Sequence, residues 1–106
     1  MGFLSDLLKR KAIDTQAQKL AALFVERLPL ARARDEKRFS AEFEIVFGHL
    51  QGFHRKEALG TFGKARLVNS FQWALVDKGY ETETACELGR VIASRLSAQR
   101  LPQLPD

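Results

Sequence analysis

Apolar positions recur along this chain at three- and four-residue intervals, and their densest block is residues 39–54, FSAEFEIVFGHLQGFH. A period of two fits only the start of that block. Phe39, Ala41, Phe43, Ile45 and Phe47 alternate with Ser40, Glu42 and Glu44, and Val46 breaks the phase. A helical period holds to the end of the block, because at about 100° per residue Phe39, Phe43, Val46, Phe47, Leu50 and Phe53 fall within roughly 120° of arc. Length therefore predicts a helix. Its opposite side carries Ala41, Ile45, Gly48 and Gly52, a row of small or apolar residues. A helix apolar on two sides is an interior one. Each glycine costs about 0.5–1 kcal/mol of helix stability relative to alanine, which close approach of a second helix backbone would explain. The alternative is that one glycine marks a kink or a helix end. Glu42, Glu44 and His49 exclude the membrane-dimer sense of GxxxG.

The flanking blocks are also helical in period. Phe3, Leu4, Leu7 and Leu8 share a face and are followed by Lys9, Arg10 and Lys11, which predicts a short amphipathic N-terminal helix, an arm of residues 1–13. Such an arm docks back on the core or lies on a membrane surface; Asp6 at the sixth position departs from the myristoylation pattern. Asp14 or Thr15 is the expected N-cap of a helix over 14–28, with Ala17, Leu20, Ala21, Phe24 and Leu28 facing inward and Pro29 stopping it. Residues 29–38 set Arg32, Arg34, Lys37 and Arg38 against Asp35 and Glu36 and read as a solvated connection.

A third helix is predicted over 62–78, with Leu67, Val68, Phe71, Ala74 and Leu75 inward and Gly79 ending it. Trp73 lies on its other side near Phe62, and either marks an interface or covers the N-terminal helix. The last helix, near 83–98, starts at Thr82 or Thr84 (Thr84 and Glu87 spell a capping box) and buries Ala85, Leu88, Gly89, Ile92 and Leu96. Residues 101–106 form an extended or disordered tail. The expected architecture is all-α: a compact bundle of four main helices within residues 14–100, the central one over 39–58, preceded by the arm.

Composition narrows the class. A chain of 106 residues, 45% apolar, fits one folded domain. The single Cys86 precludes an intrachain disulfide and suits a reducing compartment. No apolar run approaches the ~20 residues that span a bilayer, and the start lacks a signal-peptide pattern, so a cytoplasmic location is expected. The net charge of +4 permits nucleic acid, anionic lipid or an acidic protein as partner and requires none of them.

One motif carries a mechanism. Residues 54–64 read HRKEALGTFGK, and within them Gly60, Thr61, Phe62 and Gly63 form a GxxG loop at the head of a helix. Glycines there admit an anion to backbone N–H groups at the helix N-terminus, with Lys64 and Arg66 adding charge and Arg55 and Lys56 close in sequence. Over residues 59–64 the loop resembles the nucleic-acid clamp of KH domains. Thr61 and Phe62 fill the pair that in that family usually includes a base, and the three-stranded sheet the family requires is not predicted. Otherwise the loop is an interhelix turn with Phe62 plugging the core. A helix-turn-helix around Gly79 would press Glu81, Glu83 and Glu87 onto phosphates, which they would repel.

No nucleophile, phosphate-loop or dinucleotide motif is present. His49 and His54 point about 140° apart on one helix and do not make a metal site. No catalytic residue, metal or cofactor is assigned. The sequence predicts a non-catalytic protein-interaction or adaptor module that forms a homodimer, with Gly48, Gly52 and Trp73 as candidate interface. The alternative is a nucleic-acid-binding module using Arg55, Lys56, Gly60, Gly63, Lys64 and Arg66. Membrane attachment through Phe3, Leu4, Leu7 and Leu8 ranks last.

Overall fold

The computed structural model describes the backbone of residues 2–29 and 34–98, and the side chains of residues 8–29 and 34–97. Four helices and no strand occur among them: α1 (Gly2–Arg27), α2 (Glu36–Glu57), α3 (Thr61–Asp77) and α4 (Thr82–Ala98). No helix among the described residues is long and apolar enough to cross a membrane. The all-α bundle is as expected; the N-terminal arm and the start of α2 differ.

The separate short helix before Asp14 is not found. Helical backbone runs unbroken from Gly2 to Arg27, so Asp14 is no N-cap but an interior residue whose carboxylate is used laterally. The arm's apolar side chains other than Leu8, together with the tail, lie outside the described residues. The helix α2 starts earlier than expected because Asp35 caps it, its carboxylate accepting the Arg38 N–H at 3.2 Å. Of the two starts expected for α4, the structure uses Thr82 rather than Thr84, and the Ala85 N–H bonds the Glu81 carbonyl at 2.9 Å.

The longest contact is between α1 and α3, with α4 against α3 and α2 against α1. Asp14 in the middle of α1 meets Arg66 in the second turn of α3, and Leu28 meets Tyr80 just past their ends, so these two helices run side by side in one direction. The core receives the faces the periodicity assigned. Ala17, Leu20, Ala21, Phe24 and Leu28 are buried, as are Phe43, Val46, Phe47 and Leu50, the α3 set, and Ala85, Leu88, Ile92 and Leu96. Phe39 and Phe53 pack at the margin. The Phe24 ring meets Phe39 edge-on at 5.6 Å and Tyr80 at 5.8 Å, tying α1 to α2 and to the α3–α4 turn. Phe62 is the clear departure. It plugs nothing: it is 91% exposed, and Leu59 fills the space beneath the turn instead.

Close helix approach occurs at Gly89, on the face expected to be buried, and not at Gly48 or Gly52. A Cβ on Gly48 or Gly52 would find no neighbouring atom within 4 Å, whereas one on Gly89 would collide with the Gln72 side chain. Gly89 thus lets Gln72 of α3 lie across α4, where its amide donates to Cys86 Sγ at 3.2 Å. The α2 row of Ala41, Ile45, Gly48 and Gly52 is exposed, because that helix turns Phe43, Val46, Phe47 and Leu50 on its other side into the core.

Candidate functional site

The GxxG turn is built by helix termination. The helix α2 ends in a left-handed residue that is not glycine, Ala58 at φ 50°, and the Leu59 N–H closes back on the His54 carbonyl at 3.2 Å. Leu59 drops into the core and Gly60 becomes the N-cap of α3, extended and without a side-chain cap bond. The Lys64 N–H makes the bond to Gly60 O at 2.9 Å, so the amides of Thr61, Phe62 and Gly63 precede the first intrahelical donor of α3. At Gly63 a Cβ would stand 3.2 Å from Leu59 carbons, which is why a small residue suits the position.

The cations expected to act with this turn are dispersed. Lys64 Nζ donates to Ser97 Oγ at 2.7 Å, pinning α3 to the end of α4. Arg66 is taken by Asp14 in a two-pronged contact, Nε to Oδ1 at 3.0 Å and Nη2 to Oδ2 at 2.8 Å, and Ser70 Oγ donates to the same carboxylate at 2.7 Å. The Arg66 hydrogen bonds, helped by that of Ser70, hold the Asp14 carboxyl below its ordinary value against the opposing effect of desolvation; the Arg66 guanidinium is raised in turn. Arg55 and Lys56 are exposed in the last turn of α2. The likeness to KH domains stops at the six residues that carry it, since the described residues include no strand.

A different set of residues does converge. The first turns of α1 run past the head of α3, leaving Leu8, Lys9, Arg10, Lys11 and Ala12 exposed, and Ile13 is the first buried side chain along the described part of α1. Between the two helices lies a cleft of about 560 Å³ lined by Lys9, Arg10, Ile13, Phe62, Gly63 and Arg66. Further along the same face of α3, Trp73 is 48% exposed. Phe62 and Trp73 stand eleven residues apart, about 16 Å of helix rise, with Arg66 between them. Sequence reasoning did not join Lys9 and Arg10 to Phe62. Their sequence separation exceeds fifty residues, and nothing local signals that α1 continues unbroken into the arm.

A second two-pronged ion pair joins α4 to α2. Arg95 of α4 makes a two-pronged contact to Glu44 of α2 at 2.7 and 3.0 Å, and its guanidinium carbon lies 4.1 Å from the Phe47 ring centroid. That pairing lowers the Glu44 carboxyl. No charged side chain is buried among the described residues, and no group of three metal-ligating side chains occurs there. The chain matches no protein-family model, and comparison with curated proteins and with solved structures gave no match.

Proposed function

We propose that this protein is a non-catalytic interaction module that pairs with a second copy of itself through the outer face of α2. One observation supports the reading: Ala41, Ile45, Gly48 and Gly52 form an exposed row, Ile45 is 40% exposed, and a Cβ added at either glycine would meet open space. Two glycines inside a helix cost about 0.5–1 kcal/mol each relative to alanine. Within one chain no close packing offsets that cost. Against a second α2 related by a two-fold axis, the same row lets backbones approach and covers Ile45 on both copies. Replacing Gly48 by Ile tests this. The variant should keep its helical circular dichroism and melting cooperativity yet elute as a monomer. An unchanged dimer would remove α2 as the interface.

The nucleic-acid reading of the GxxG turn loses support as first framed, because Arg66 is already neutralised by Asp14 and Lys64 is tied to Ser97.

A further inference from the structure

The α1–α3 cleft is independent of the α2 face, and its chemistry is of another kind. Three features coincide there. Phe62 is 91% exposed, far beyond what a core-derived residue shows, and forms one wall. Ile13, only 2% exposed, lies among the lining residues. Lys9 and Arg10 stand on the opposing helix, exposed, with no acidic partner within ion-pair distance among the described side chains. An aromatic face beside two exposed cations is the arrangement that takes a nucleobase by stacking and its phosphates by charge.

We propose that this cleft binds single-stranded nucleic acid, one base stacked on Phe62 and the adjoining phosphates on Lys9 and Arg10. The cleft is half open to solvent, and its volume of about 560 Å³ has room for a nucleotide unit. Alternative anionic partners fit less well. A bilayer surface is flat and cannot enter a concave cleft between two helices. A bound amphipathic helix needs apolar anchors at successive turns of a groove, and here a single aromatic wall is rimmed by cations. In a duplex the bases are stacked on one another and offer Phe62 no face. Past Arg66 the exposed Trp73 continues the same side of α3, giving the strand a second aromatic surface about 16 Å on.

The test is fluorescence anisotropy of a labelled single strand of about 12 nucleotides with the full chain, starting near 50 mM salt. Saturable binding is expected. The logarithm of affinity should fall with the logarithm of salt concentration with a slope of about −1.4, from two phosphates neutralised. Phe62→Ala should weaken binding about five- to a hundredfold, and the Lys9→Glu, Arg10→Glu double variant should abolish it. All three side chains are exposed, so the melting temperature of each variant should match the parent. Reversing Lys37 and Arg38, which follow the Asp35 cap, should leave binding unchanged. Any one of four results would overturn the proposal: no saturable binding, affinity indifferent to Phe62→Ala, a duplex bound as tightly as the single strand, or a mononucleotide bound as tightly as the strand. Capture by phosphatidylserine vesicles without oligonucleotide binding would assign the surface to membranes instead.

Discussion

Tyr80 shows how one residue after a helix stop can hold an all-α core together. Its ring is buried against Phe24, and its hydroxyl donates to the Leu28 carbonyl at 3.2 Å, joining the end of α1 to the α3–α4 turn. Burial pushes the phenol above its ordinary value. Since the folded phenol deprotonates later than the unfolded one, its contribution to stability is complete below pH ~10 and is lost as pH rises through the folded value. Tyr80→Phe should destabilise the chain by about 1 kcal/mol, read from urea midpoints; no change would mean that Leu28 O finds another donor. Ala58 makes the complementary case. An alanine at φ 50° occupies a conformation that costs an L-residue roughly 1–2 kcal/mol, so Ala58→Gly should stabilise by about 0.5–1 kcal/mol once glycine's greater unfolded-state entropy is subtracted. Gly79, at φ 109°, should respond oppositely, and Gly79→Ala should lower the melting temperature.

At the scale of elements, the periodicity of α2 was legible because six apolar residues hold one face across the block, longer than any strand phase survives. Four of them, Phe43, Val46, Phe47 and Leu50, are buried. The inward faces of α3 and α4 were legible for the same reason. What periodicity does not encode is which glycine meets a neighbour. Gly48, Gly52 and Gly89 all lie on helical rows, and only tertiary placement opposes Gln72 to Gly89. The structure therefore separates them by sign. With the chain held monomeric by dilution, Gly48→Ala should raise stability by about 0.5–1 kcal/mol. Gly89→Leu should lower it by about 1–3 kcal/mol through overpacking against Gln72 and Val68. Equal effects in chemical denaturation would contradict the packing described. Phe62 was misplaced for a related reason: its helical angle is shared with Trp73 on the outer side of α3, but a lone phenylalanine after a turn reads as a plug. Leu59, three residues earlier, took that place.

For the whole molecule, ion pairs rather than buried charges join the layers: Arg27–Glu42 between α1 and α2, Arg66–Asp14 between α3 and α1, Arg95–Glu44 between α4 and α2. Asp14 and Glu44 both titrate below their ordinary values of 3.8 and 4.5. Such carboxylates contribute stability that is present above those values and lost as pH falls through the lower, folded ones. Acidification below about pH 4.5 should thus lower the melting temperature, and Asp14→Asn should flatten that acid slope; a slope unaltered in the variant would assign the acid sensitivity elsewhere. The charge pattern was visible in the sequence, but the partners were not, because each interhelix pair closes between residues fifteen to fifty-two positions apart.

The arrangement leaves one apolar row uncovered on α2, and the claim that a second copy covers it is tested most directly by mass in solution. Light scattering on size-exclusion fractions over a range of loading concentrations should show a species approaching twice the chain mass of 12.0 kDa as concentration rises. A mass that stays at 12.0 kDa at every concentration would contradict the account.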